Sequence, residues 1–511
     1  MNYYLGLDNG GTTTKAALFD REGKEIGVAS TETKMLTPYP DFTERDMEEM
    51  WEANCKVIRD VLEKTGFSPS DVKGVAVCGH GKGLYLWGKD DKPARNGIIS
   101  TDNRATEYLK KWRADGTEEK AFELSCQHVM ACQPVALLSW LKDHEPEVMD
   151  NIKWVFECKD YVRFRLTNEA RAEMTDYSGA NFLNLHTRAY DERLLELFGI
   201  PEVKDALPPL CSAIEVAGTI CGEAAAKTGL LEGTPVAGGM FDIDACALAV
   251  NVLDEKNICM IAGTWSINEY PRKEPVTDGS VQMNSVFCLP EYYLIEESSA
   301  TSAGNHAWFE RAFLSEAKEA AKAEGKNFYD VMNAWVDSVP ASEFVPIFLP
   351  FTMASNVHPN AKGSFVGMSA NHTRAHILRS IYEGIVYCHR YHLERLLATR
   401  DKEPECIRLA GGAARSAVWT QMFADILHYT IETVAVNETG ALGCAITAAT
   451  AVGEYPSVQE AARVMCPIGE RIMPDPAVAK YYDERYALYK QIIESLDGVW
   501  DAMQNAMEKK G

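Results

Sequence analysis

No apolar run in these 511 residues approaches the length of about 20 needed to cross a bilayer. The N-terminus carries no charged-then-apolar leader, so the chain is expected to work in the cytoplasm. Positive charge is scarce: 51 Lys and Arg face 74 Asp and Glu, a net charge of −23. That balance argues against nucleic acid and membranes as partners, and any anionic ligand must be held by local donors working against the overall field. The 14 cysteines contain no CxxC pair and often sit inside apolar runs, as in Val77-Cys78 and Ile258-Cys259, so free buried thiols are expected rather than disulfides or zinc. His372 and His376 lie four apart, as do Asp242 and Cys246, but neither pair has the second cluster a metal cage needs. Low-complexity tracts, long linkers and short-period repeats are absent. So are the common nucleotide motifs: there is no GxxxxGK[ST], and no GxGxxG between a first strand and a helix.

What remains is a globular chain, 46% hydrophobic and 10% aromatic, long enough for two or more domains. Its most informative segment is Asp8-Asn9-Gly10-Gly11-Thr12-Thr13-Thr14-Lys15. Apolar runs of strand length flank it, Tyr3 to Leu7 before and Ala16 to Phe19 after, so the Asn-Gly-Gly between them reads as a hairpin turn. Glycines let backbone N–H groups approach phosphate oxygens, and the threonine hydroxyls and Lys15 add donors and charge. Asp8, at the strand end, is placed to hold a magnesium ion. An ordinary hairpin with a polar tip is the other reading of these eight residues.

The first half alternates strands and helices. Thr43 with Asp46 is expected to open a helix whose apolar face carries Met47, Met50, Trp51, Val57, Ile58, Val61 and Leu62. Lys73 to Cys78 reads as a buried strand ending in His80-Gly81-Lys82-Gly83. Further on, Thr234 to Gly239 runs into Phe241-Asp242-Ile243-Asp244, and Ile258 to Ala262 ends in Gly263-Thr264, which reads as a second copy of the opening hairpin. A long helix is expected from about Thr373 to Leu397. After it the strand Ile407 to Ala410 meets Gly411-Gly412-Ala413-Ala414-Arg415-Ser416 and a helix from Val418 to Leu427. Paired glycines between a strand and a helix N-terminus suit adenine and ribose, though they also suit a plain tight turn.

Taken together these pieces resemble the FGGY family of carbohydrate kinases along nearly the whole chain. The resemblance is carried by DNGGTTTK at 8–15, STDNRA at 100–105, GGMFDIDA at 238–245, AGTWS at 262–266, SAGNHAWF at 302–309, RSIYEGIVY at 379–387 and GGAARSAVWTQMFADI at 411–426. Within the family, GKGLYL at 81–86 and GGMFD at 238–242 are most similar to bacterial L-xylulose kinases.

The resemblance implies an α/β fold of two actin-like (ribonuclease-H-like) domains with an interdomain cleft. Residues 1–250 would bind sugar and phosphate, and 251–511 the adenine nucleotide. It implies ATP and Mg2+ and a sugar substrate, and leaves a homodimer open. Asp242 matches the catalytic base and, with Asp8, a metal position. Gly10, Gly11, Thr12, Thr13 and Lys15 match the first phosphate clamp, Gly263, Thr264 and Gly304 the second, and Gly411, Gly412, Ala413 and Ser416 the adenosine-facing turn. Asp102 and Arg104 match the sugar-binding pair, with His80, Gly81 and Lys82 beside them.

There are departures. Asp244 adds a second acid, which in a strand would share a face with Asp242. His80 stands where many members carry glutamine, and the Arg-Glu pair of the glycerol-kinase pattern is absent, which favours a ketose. Lys82 reads either as a solvated loop charge or as an inward donor beside His80 and Arg104, suited to a ketose or to a keto-sugar acid such as 3-keto-L-gulonate. The expected substrate is L-xylulose or a close relative, ahead of D-xylulose. Two rival readings, an actin- or chaperone-like ATPase and a non-catalytic sugar sensor, are weighed against Asp102 with Arg104 and against the intact Asp8 and Asp242.

Overall fold

The computed structural model describes residues 2–508. The chain folds into two compact units, and neither is one continuous stretch. The first takes Met1–Asp254, Pro271–Ile295 and Val436–Pro467; the second takes Glu255–Tyr270, Glu296–Ala435 and Ile468–Gly511. The second half of the chain therefore lends two segments back to the first unit. Among the described residues, no helix is long and apolar enough to cross a membrane. All 14 cysteines are free thiols, and only Cys221 and Cys246 are not fully buried.

The first unit grows from the predicted hairpin. Tyr3–Asn9 and Thr13–Asp20 pair antiparallel, with Asp8 opposite Lys15, and Glu25–Glu32 adds a third strand beside them. On the other side Val72–Gly79 lies parallel to Tyr3–Asn9, followed in the sheet by Pro235–Ala237 and Val216–Thr219. Helix Met47–Thr65 buries the predicted stripe from Met47 to Leu62 against the sheet. Its cap differs from expectation. Asp46 alone is the N-cap, accepting the N–H groups of Glu48 and Glu49, while the Thr43 N–H is used elsewhere, on Asp102. The opposite face of the sheet is covered by Thr439–Ala451, a helix built of small residues. It comes so close to the first strand that a Cβ on Gly6 would stand 1.9 Å from the carbonyl oxygen of Ala441.

The second unit repeats the plan. Asn257–Ala262 and Ser266–Arg272 form an antiparallel hairpin around Gly263-Thr264-Trp265. The long helix Arg374–Leu397 precedes Cys406–Ala410, which lies parallel to Asn257–Ala262, and Ile431–Val434 continues the parallel run. In both units a hairpin comes first, and a later parallel strand returns beside the hairpin's first strand. This is the duplicated, actin-like order expected from the sequence.

The close approach at Gly6 gives a stability prediction. Gly6→Ala should lower the first unit's stability by about 1–3 kcal/mol, the usual cost of overpacking. By contrast Gly498, inside the helix Pro476–Glu508 with open space where a Cβ would go, should tolerate alanine with a gain of up to about 1 kcal/mol. Thermal melting of the two variants beside the parent protein checks both signs.

Candidate active site

In the first unit, the Gly10 N–H donates to the Thr13 carbonyl oxygen at 3.1 Å and leaves Gly11 and Thr12 exposed at the tip. Lys15 does not lie free along the hairpin: its Nζ meets Glu438 at 2.7 Å, on the late segment of the same unit. Asp8 is half-buried, and enclosure raises its proton affinity while Lys15 opposes that rise.

Asp242 opens the helix Asp242–Ala249, directly after Met240–Phe241. Met240 lies beside Cys78, and Cys78 beside Asp8, so parallel strand ends bring Asp8, the His80 turn and Asp242 to one edge of the sheet. Open α/β sheets bind their ligands at such an edge. The Asp242 carboxyl is half-buried and holds its proton well above the usual carboxylate range, through burial first and then through Asp8 and Asp176, with Lys82 pulling the other way. Asp244 does not share a strand face with it. The two are the first and third residues of a helix, and at 3.6 residues per turn they point to nearly opposite sides. Asp244 is wholly buried, with neither oxygen hydrogen-bonded, and burial also raises its proton affinity.

His80 faces Tyr85, Nε2 to Oη at 2.8 Å, and Nδ1 faces the Gly81 carbonyl oxygen at 3.3 Å. A carbonyl can only accept, so Nδ1 carries the proton and Nε2 accepts from the tyrosine. Burial, aided by Arg45, lowers the His80 pKa to about 3, and the ring is neutral. Gly81 has no room for a side chain, because a Cβ there would meet the Phe241 ring at 2.4 Å and Asp176 Oδ1 at 2.7 Å. Lys82 is not a solvated loop charge. It is 6% exposed, adopts a left-handed φ of 62°, and its Nζ stands 5.4 Å from the centre of the Phe241 ring.

Asp102 and Arg104 are brought together and locked. Arg104 Nε and Nη2 donate to the two Asp102 oxygens, each at 2.9 Å, and Nη2 also reaches Glu44 at 2.8 Å. Asp102 accepts two backbone N–H groups as well, from Arg104 at 2.9 Å and Thr43 at 2.7 Å. The guanidinium lies 4.1 Å from the centre of the Phe42 ring, and its Nη1 has no partner.

The second unit assembles its own set. Gly263 and Thr264 form the hairpin tip, and the Thr264 carbonyl oxygen accepts the Ser302 N–H at 3.0 Å, which draws in the helix that begins at Gly304. Gly411, at φ 90°, lies so near the Ala262 carbonyl oxygen that a Cβ would stand 2.6 Å away, so both glycine turns share one sheet edge. Gly412 faces open space, Ala413 is buried, and Ser416 caps the helix Ala417–Leu427 while donating to Asn333 at 2.8 Å. His389, unremarked in the sequence, ties this region together: Nε2 meets Ser302 Oγ at 3.0 Å and Nδ1 meets Ser266 Oγ at 3.0 Å. Burial lowers its pKa to about 3.

Glu44, Arg45 and Asp176 were also missed. Glu44 and Arg45 sit in a polar stretch without periodicity, and distant contacts bury them: both pair with Gly97–Ile98, Glu44 meets Arg104, and Arg45 meets the hairpin turn at Gly10. Among the described residues, no group of three His, Cys, Asp or Glu side chains could hold a metal ion by itself.

Residues 3–249 match the N-terminal domain model of the FGGY family of carbohydrate kinases, and residues 258–452 match the C-terminal one. An Escherichia coli (strain K12) protein named L-xylulose/3-keto-L-gulonate kinase is 37% identical over 97% of both chains. A probable L-xylulose kinase of Pasteurella multocida is 36% identical, over 97% of this chain and 99% of its own. The crystal structure of a xylulose kinase from Rhodospirillum rubrum superposes with a TM-score of 0.83 at 27% identity, covering 98% of this chain and 100% of that one. With two domain models matching most of it and relatives matching 97% of its length, the chain belongs to the FGGY family of carbohydrate kinases and is an ATP-dependent carbohydrate kinase.

Proposed function

We propose that this kinase phosphorylates a hydroxyl of a ketose, with L-xylulose or a closely related keto-sugar or keto-sugar acid preferred over D-xylulose and strongly over glycerol, and that Asp242 is its general base. The observation that carries the assignment of the base is the contrast between the two acids. Asp242 is open on one side, at a ligand-binding sheet edge, while Asp244 is sealed in the core. An ionised Asp242 against the attacking hydroxyl accepts its proton as the new phosphorus–oxygen bond forms. The high proton affinity of the carboxyl suits that task.

The donor set also fits magnesium. Asp8 and Asp242 press on each other electrostatically, a hard-oxygen pair that a cation relieves. When bound, the ion neutralises phosphate charge. Gly10, Gly11, Thr12 and Thr13 are assigned to the phosphates in the first unit, and Gly263, Thr264 and Gly304 in the second. Gly411, Gly412 and Ala413 would meet adenosine by backbone, since Ala413 is buried and the Ser416 hydroxyl is already engaged. The sugar is assigned to Gly81, Lys82, Asp102 and Arg104, with His80 as a fixed neutral wall. Support for the substrate comes from the name of the Escherichia coli relative and from Lys82, whose buried charge beside the base suits a polyhydroxylated or carboxylate-bearing ligand.

Asp242→Asn should keep both KM values within a few fold and lower kcat by about 10²–10⁴-fold, the usual worth of a general base. Asp244→Asn should cost far less. Coupled ADP release measures both, and the opposite ranking would transfer the role to Asp244.

Across a panel of pentuloses, hexuloses, alditols and sugar acids, L-xylulose or a keto-sugar acid should give the highest kcat/KM. Lys82→Ala should raise the KM for that substrate about 10–100-fold, as loss of a charge-assisted hydrogen bond does, with KM for ATP unchanged. Glycerol as the best substrate, or a Lys82→Ala enzyme with unaltered sugar KM, would overturn the assignment.

A further inference from the structure

Arg45 lies beneath the tip of the first hairpin and is 1% exposed. Its Nη2 donates to the carbonyl oxygen of Gly10 at 3.1 Å and also to that of Gly11, while Nη1 rests against Met50 Sδ at 3.9 Å. Nε has no partner, and among the described residues no carboxylate pairs with the guanidinium. A cation withdrawn from water without a counter-ion is costly, and buried charges are normally paired. In a chain of net charge −23, well supplied with carboxylates, this unpaired one calls for an explanation.

The geometry of the peptide supplies it. The turn's peptides are trans, so each N–H points opposite to the carbonyl of the same peptide group. Drawing the Gly10 carbonyl inward turns the Gly11 N–H outward, and drawing the Gly11 carbonyl inward does the same to the Thr12 N–H. Neither N–H meets an acceptor among the described residues. Their neighbours are occupied, the Gly10 N–H by Thr13 and the Thr12 carbonyl by Thr33. Successive outward N–H groups backed by positive charge form an anion-binding concavity.

We propose that Arg45 is a positioning residue for phosphoryl transfer, which aims the Gly11 and Thr12 N–H groups at the γ-phosphate and places behind them a positive charge that the phosphate completes. The inference rests on the assignment of this hairpin to phosphate made above. It separates Arg45 from a merely structural arginine, because a γ-phosphate contact acts on ATP and not on ADP.

Arg45→Gln, Asp8→Asn and Thr13→Ala are to be compared with the parent enzyme in steady-state kinetics, in equilibrium binding of ADP, and in thermal melting. Arg45→Gln should lower kcat/KM for ATP by 10-fold or more, with ADP affinity and sugar KM within about threefold. Arg45→Lys keeps the charge but lacks the planar fork, and should recover part of the loss. If Arg45→Gln does not fold, the Lys variant carries the same split between ATP and ADP at smaller amplitude, and its absence there overturns the proposal. An ATP kcat/KM within threefold of the parent would also overturn it, as would equal losses for ATP and ADP. If Asp8→Asn and Thr13→Ala leave ATP turnover unchanged, the hairpin is not the phosphate site and the underlying assignment fails. If they lower it while Arg45→Gln does not, only the role of Arg45 fails.

Discussion

The first unit depends on how closely the helix Thr439–Ala451 approaches the strands beneath it. Gly6 on the first strand admits the Ala441 carbonyl, and Gly443 on the helix admits the carbonyl of Ala245, where a Cβ would stand 2.3 Å away. Gly440 does the same for Asp8, whose Oδ2 would lie 2.9 Å from a Cβ there. One helix of small residues thus touches the strand bearing Asp8 and the helix opened by Asp242. Larger side chains at these contacts would push the two carboxylates apart. Close packing without side chains fixes the spacing on which the proposed chemistry relies.

The charge of the site is organised in layers. Behind Asp242 lies a buried group in which Lys159 meets Asp160 at 2.8 Å, Asp176 at 3.4 Å and Glu173 at 3.5 Å, and Arg163 meets Asp160 at 2.7 Å. Thr175 links that group to the base: it donates to Glu173 at 2.7 Å and accepts the Phe241 N–H at 2.9 Å, one residue before Asp242. Carboxyls outnumber cations here, and Glu173 is pushed up to about 7 by burial. On the hairpin side the sign is reversed, with Arg45 unpaired among carbonyls. The overall acidity of the chain therefore says little about either place. What a ligand meets is set by which charges are sealed off from water.

Local patterns made much of this legible in the sequence. The turn glycines at 10–11 and 263, the apolar stripe from Met47 to Leu62 and the strand-to-helix turn at 411–416 are each specified by residues close in the chain, and each folds as read. Thr43 takes no part in the cap it was expected to share, because Asp46 satisfies the helix end alone. That Asp244 lies on the far side of a helix from Asp242 has no local signal, because nothing within three residues announces that a helix begins at Asp242. Arg45 carried no signal at all. Its backbone pairs with the distant Gly97, and its side chain is met by carbonyls of a turn far earlier in the chain. Lys82 shows the same limit in milder form, since surface lysines are common and only the tertiary structure turns this one inward.

The return of Val436–Pro467 to the first unit bears on how the protein is made. Gly6 leaves the ribosome some 435 residues before Ala441, which must lie against it, is translated. At about 5–20 residues per second the interval is roughly 20–90 s, during which the apolar floor of the first sheet has no cover on that side. The opening half of the chain thus cannot finish folding as it emerges. It waits until the segment bearing Ala441 has been made, and the nascent protein depends in that interval on whatever shields an exposed apolar sheet face from other apolar surfaces.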